Sequence, residues 1–149
     1  MRLGGDPGVL CEDAAMRSDP ASCPICVEIA ALLSTAEGSQ LLAVSLPDAD
    51  PVTDGHLLVV PTEHALGLAA LSPLQRDSLF ARVNEEVQRL EGLPDIDGVN
   101  VGINSGMAAG QTVSHLHVHI IPRRHGDCRD PRGGVRRILD GAESDRSPS

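Results

Sequence analysis

Three imidazoles stand on alternate residues in the stretch His115-Leu116-His117-Val118-His119-Ile120-Ile121. Side chains at i, i+2 and i+4 of a strand share a face, so the spacing predicts a row of imidazoles about 6.6 Å apart backed by an apolar row of Leu116, Val118 and Ile120. Half of the chain's six histidines fall in these five residues, a concentration that a merely solvated strand does not call for. Near pH 7 an imidazole can act as nucleophile, proton carrier or metal ligand. The loop ahead of the row adds Asn104, Gly110, Gln111 and Thr112. Glycines there let backbone N–H groups close on a ligand, and the Asn, Gln and Thr side chains offer donors, so the loop can cradle a phosphate.

These residues need a scaffold, and 149 residues suit one domain, enough to bury roughly two thirds of the surface that the unfolded chain exposes. With no Trp or Tyr and a single Phe, Phe80, the core must be Leu, Val, Ile and Ala, and recognition on an aromatic stacking platform is not expected. A net charge of −9 argues against nucleic-acid polymers and anionic membranes as partners, because basic patches hold both. An anionic small substrate is still compatible, since distant surface charge is screened over about 8–10 Å. The opening residues carry no long apolar run, so no secretory leader or membrane span is expected. The expected compartment is the cytoplasm, where thiols stay reduced and the four cysteines point to metal or burial rather than disulfides.

Patterning along the chain predicts an α+β fold. Residues 1–20 read as a loose N-terminal arm, 21–124 as the domain, and 125–149 as a mobile tail rich in Arg, Gly, Asp and Ser. "CPICVEIAALL" predicts a short helix entered through a Cys-x-x-Cys turn, "SQLLAVSL" and "HLLVVP" two pairing strands, and "TEHALGLAAL" another short helix. A long helix follows, with Ser72 as N-cap, Pro73 in the first turn, Gly92 at its end and a core stripe of Leu79, Phe80, Val83, Val87 and Leu90. "DGVNVGIN" and "VSHLHVHIIPR" complete the strands. Strands with segregated helices imply an antiparallel sheet with a helix layer on one face.

"GQTVSHLHVHIIPRR" and "GHLLVVPTEH" resemble the histidine triad (HIT) family, whose motif is His-φ-His-φ-His-φ-φ with φ apolar. The likeness runs from Cys23 to Arg124, about two thirds of the chain, and implies a HIT-like fold and a homodimer paired through the long helix and the "DGVNVGIN" strand. It also implies a nucleotide hydrolase or transferase that cleaves at an α-phosphate through a nucleotidyl-histidine. On this resemblance His117 is the nucleophile, His119 donates to phosphate oxygens and His115 supports them, while His56 is the additional active-site histidine. Asp48 falls where the family places a ribose-binding acid. Asn104, Gln111 and Thr112 match phosphate and leaving-group contacts, within a Gly110-Gln111-Thr112-Val113 lead. Physical chemistry agrees, because a nucleotidyl-imidazole is a better leaving group than an alkoxide or amine.

The same resemblance, to zinc-bearing bacterial-type members, implies one structural zinc held by Cys23, Cys26, His64 and His115. In the wider superfamily, galactose-1-phosphate uridylyltransferase included, the first histidine of the motif supplies a ligand. A Cys2His2 set would close the coordination shell. The competing arrangement is a reduced, buried cysteine pair with His115 hydrogen-bonded inside the triad. This chain departs from the family at Ile25, where Phe is common, and between Ala30 and Leu41, which lack the usual acidic turn. An aliphatic base pocket of Ile25, Ile29 and Leu46 is therefore expected. The leading functional expectation is a hydrolase of purine nucleoside phosphoramidates, a phosphoramidase, or of related adenylylated compounds. The alternatives are a dinucleoside polyphosphate hydrolase and a zinc-stabilised nucleotide-binding protein without turnover.

Overall fold

The computed structural model describes residues 19–34 and 40–137. The expected N-terminal arm and the end of the expected tail lie almost wholly outside those residues. Within them the order is α1 (Pro24–Leu33), β1 (Ala43–Pro47), β2 (Leu57–Pro61), α2 (Pro73–Glu91), β3 (Gly98–Gly102) and β4 (Val118–Arg123), with short 3-10 turns between. The four strands form one antiparallel sheet in the order β1-β2-β4-β3, so the α+β class stands as expected.

Alternation along each strand decides what lies on either side. Ala43, Leu57, Val59, Val118 and Ile120 join Leu79, Val83 and Leu90 of α2 in one apolar cluster. Val44, Leu46 and Val60 face the other way and pack with Ile25 and Ile29 of α1. The long and short helices, expected together on one face, instead divide between the two faces of the sheet, because β1 and β2 are apolar on both. His119 pairs with Leu58 across β2 and β4, which puts it on the α1 face.

Helix α2 starts as its sequence requires. The Ser72 side chain accepts from the Gln75 N–H while the Gln75 side chain accepts from the Ser72 N–H, a capping box, with Pro73 in the first turn and Gly92 at the C-cap. Its buried stripe is Leu79, Val83, Glu86 and Leu90. Phe80, expected in the core, is instead 43% exposed, because it lies about 100° round the helix from Leu79. Buried Glu86 takes its place, accepting from the Ser45 hydroxyl at 2.7 Å and pairing with Arg89 at 2.8 Å.

Two further expectations are corrected. "TEHALGLAAL" yields only the 3-10 turn Leu68–Ala70, since the Ala65 carbonyl accepts from the Leu116 N–H at 2.6 Å rather than closing a helical turn. That bond also keeps the histidine row out of the ladder. β4 begins at Val118, so His115, in a bend, and His117 precede it and His119 alone of the three is in the strand.

Candidate functional site

Two imidazole centres adjoin at the start of β4. The first gathers Cys23, Cys26, His64 and His115, whose ligand atoms all lie within 4.8 Å of one another. Cys23 is the N-cap of α1 and Cys26 sits in its first turn. The sulfur-to-Nδ1 distances are 3.6 Å for Cys23 to His115, 3.4 Å for Cys26 to His115 and 3.2 Å for Cys26 to His64. Tetrahedral zinc with its usual Zn–S and Zn–N bonds would hold sulfur and nitrogen about 3.5 Å apart.

Protonation within the cluster points the same way. His115 is completely buried and donates from Nε2 to the Pro61 carbonyl at 2.9 Å, leaving an Nδ1 lone pair toward the sulfurs, the usual outer-shell device of a ligating imidazole. Burial above all holds its pKa below the ordinary imidazole range, with His64 and His117 adding to that and the Pro61 bond opposing it. Burial and the adjacent Cys23 raise the Cys26 thiol to about 11. A bound dication reverses that penalty by stabilising thiolate. The four residues expected from the sequence therefore come together as a set that fits zinc, and as four protein ligands they would make it structural.

The second centre opens on a cleft of about 380 Å³ between α1 and the loop after β1. Hydrogen bonding assigns a different job to each ring. His117 Nδ1 donates to the carbonyl of His115 at 2.7 Å, so its Nε2 lone pair is free. The Val52 N–H donates to His56 Nδ1 at 3.3 Å, which puts the neutral ring's proton on Nε2. From there it reaches His119 Nδ1 at 3.0 Å and Asp48 Oδ2 at 3.3 Å. His119 then accepts at Nδ1 and keeps N–H on Nε2, with its ring centre 5.0 Å from that of His117. Burial, His117 and His56 hold the His119 pKa below the ordinary range against the pull of Asp48. The Asp48, His56 and His119 atoms also lie within 4.8 Å of one another, with the His56 Nε2–H shared between the other two. One free lone pair beside one free N–H is the equipment of nucleophilic attack with stabilisation of the developing charge.

Among the expected nucleotide contacts, Asp48, Thr112, Val113, Ile25 and Leu46 line this cleft with His56, His117 and His119. Ile29 does not, and is packed beneath α1 at 3% exposure. Asn104, Gly110 and Gln111 lie outside the cleft lining. The Gln111 amide accepts from the Gly106 N–H at 2.8 Å and donates to the carbonyls of Leu66 and Val113, so it braces the loop. Gly110, at φ 89°, turns the chain beside Asn104. Pro24, Glu28, Asp50 and Val52 line the cleft without having been singled out from the sequence. The spacing of Pro24, Ile25 and Glu28, one face of a helix, was the available signal.

A sheet flanked on both faces, with a thiol–imidazole cluster beside a histidine-lined cleft, defines an α+β domain built around its imidazoles. The chain matches the HIT domain over residues 37–126 and belongs to the histidine triad family. The asymmetrical bis(5'-nucleosyl)-tetraphosphatase of Schizosaccharomyces pombe is 38% identical over 86 residues, 58% of this chain and 47% of that protein. An adenylylsulfatase of Arabidopsis thaliana is 29% identical over 117 residues, 78% of this chain and 58% of its own length. The chain thus spans about half the length of these curated relatives. A zinc-bound histidine triad family protein from Mycobacterium smegmatis has a similar structure, with a TM-score of 0.55 and 32% identity, covering 76% of this chain and 86% of that one.

Proposed function

We infer that this chain hydrolyses a purine nucleoside phosphoramidate or related adenylylated compound through a nucleotidyl-His117 intermediate. The carrying observation is the bond from His117 Nδ1 to the His115 carbonyl, which aims an unprotonated Nε2 into the cleft. That nitrogen attacks the α-phosphorus, the bond from phosphorus to the leaving amine breaks, and the amine departs with a proton from solvent. His119 Nε2–H donates to a phosphoryl oxygen as charge grows. Water then cleaves the phosphorus–His117 bond, releasing the nucleoside monophosphate and returning a proton to solvent.

Charge favours the phosphoramidate. The cleft is lined by Glu28, Asp48 and Asp50 and by no Arg, and the chain contains no Lys. A phosphoramidate brings one anionic group and a neutral amine, whereas a polyphosphate chain brings several charges that need cations. The tetraphosphatase likeness supports a second reading, dinucleoside polyphosphate hydrolysis with an added divalent cation. Purified protein incubated with an adenosine phosphoramidate, or with diadenosine tetraphosphate with and without Mg²⁺, separates the two. Metal-independent release of AMP and amine is expected, and turnover of the tetraphosphate alone would reverse the ranking. Binding of nucleotide with no turnover of either would leave a zinc-stabilised binding protein.

The Cys2His2 cluster and the zinc-bound relative support one structural zinc per chain. Its reduced thiols suit the cytoplasm, and no helix among the described residues is long and apolar enough to cross a membrane. Strand β3 is an edge, and Phe80 and Val101 on the α2 side are 43% and 41% exposed. Exposed edges are commonly covered, which supports a homodimer through α2 and β3. Light scattering at micromolar concentration should give twice the chain mass, and a monomer would reject that arrangement.

A further inference from the structure

Away from the histidines the cleft is lined by Pro24, Ile25, Leu46 and Val52 and by three acids, Glu28, Asp48 and Asp50. Ile25 of α1 packs in one apolar cluster with Leu46, and Thr112, His117 and His119 line the same cleft. Glu28, one turn on from Pro24 and Ile25 and the only charged residue of α1, lines the same wall. Its carboxylate has no hydrogen-bond or ion-pair partner among the described residues. A base entering an apolar slot sheds water from its polar edge and must find partners there. On the α1 wall the partner on offer, Glu28, is acceptor-only.

We propose that Glu28, on the α1 wall of the cleft beside Pro24 and Ile25, reads the Watson–Crick edge of the nucleotide and makes the site prefer guanine. This rests on the nucleotide reading above and deepens it. Guanine presents N1–H and the N2 amino group side by side, two donors that meet both carboxylate oxygens in a charge-assisted bidentate pair. Adenine presents one donor at N6 beside an acceptor at N1, so one Glu28 oxygen would face a lone pair. Hypoxanthine keeps N1–H and lacks the amino group, giving one bond of the two. An analogue that lacks one of those N–H groups leaves a carboxylate oxygen without its partner and binds less well.

The test uses the full chain with guanosine, inosine and adenosine phosphoramidates of one amine, and reads kcat/KM beside the Kd values of GMP, IMP and AMP by calorimetry. The expected order is guanosine, inosine, adenosine in both measurements, with about tenfold or more between the extremes. Glu28→Gln exchanges one acceptor for a donor, which matches the N6–N1 pair of adenine, so the guanine-to-adenine ratio should fall toward or below one. Glu28→Ala removes both acceptors and should level the ratio. Glu28 is an exposed helical position where Gln and Ala are good helix formers, and a thermal melt of each variant confirms folding. Equal or tighter binding of AMP by the wild type, or an unchanged ratio in both variants, overturns the proposal. A protein that selects GMP through Glu28 yet hydrolyses no phosphoramidate sinks the reaction and upholds the base assignment. No measurable binding of any of the three nucleotides overturns both.

Discussion

His115 and His117 stand two residues apart in the chain yet belong to centres of opposite character. His115 is sealed at 0% exposure among two sulfurs and a second imidazole. His117 faces an open cleft. The rings have the same chemistry, and what separates them is the nitrogen each commits to a backbone carbonyl. His115 commits Nε2, which turns Nδ1 toward the thiols; His117 commits Nδ1, which turns Nε2 toward a ligand. On the proposed function the tautomer sorts the two roles, and the carbonyls of Pro61 and His115 dictate it.

The sharpest way to break the comparison is to remove one ring at a time. His117→Ala should reduce turnover by about a thousandfold or more, as expected for loss of a covalent nucleophile. GMP affinity should change little, because Thr112 and His119 of the cleft are still in place to hold the phosphate. Near-normal turnover in that variant would reject His117 as the attacking group. The other centre should respond in the opposite sense. Cys23→Ala with Cys26→Ala should abolish an otherwise stoichiometric zinc signal in metal analysis and lower Tm by about 10 °C or more, because structural zinc contributes folding energy directly. Metal-free wild type that melts at the same temperature as the double variant would leave a plain buried thiol pair.

Much of this sorting was legible before any coordinates. The alternation of His115, His117 and His119 with Leu116, Val118 and Ile120 predicted an apolar row, and those three are buried at 1% or less. All four residues of the thiol–imidazole cluster were identified from the motif and its order. What escaped depends on contacts remote in sequence. The strand could not be seen to begin at Val118, because the Leu116 N–H is claimed by Ala65, 51 positions earlier. Which side of α1 faces the cleft depends on how that helix docks, so Ile29 was assigned a place that Glu28 holds. Gln111 looked like a phosphate donor, but its amide ties Gly106 and Val113 of its own loop to Leu66, 45 positions earlier.

A smaller effect sharpens the tautomer argument at its other end. His56 is 5% exposed and lies behind His119, where it acts by holding Nδ1 of that ring as an acceptor. His56→Phe keeps the volume and removes the proton that fixes His119, so kcat should fall about tenfold with KM little changed, the pattern of an interaction felt mainly in the transition state. His56→Gln can still donate and should recover part of the loss. A variant in which only KM rises would make His56 a ground-state contact.

The smallest expected effect concerns pH. His119 has its pKa held below the ordinary imidazole value of 6.5, first by burial and then by the neighbouring imidazoles, while Asp48 opposes them. A lowered pKa means that the neutral ring, accepting at Nδ1 and donating at Nε2, persists as pH falls through 6.5. Protonation at the lower folded value removes the acceptor that His56 Nε2–H requires and sets two N–H groups against each other. The acid limb of the rate attributable to His119 should therefore lie below pH 6.5, with a plateau above it. Asp48 favours the charged ring, so Asp48→Asn should move this limb to still lower pH. The same reasoning fixes the linkage to stability: between the folded and unfolded pKa values the unfolded chain binds the extra proton, so this contribution is lost as pH drops below 6.5. A pH–rate profile of the wild type beside Asp48→Asn checks the sign. A limb that moved upward in the variant would show that Asp48 orients His119 rather than opposing its desolvation.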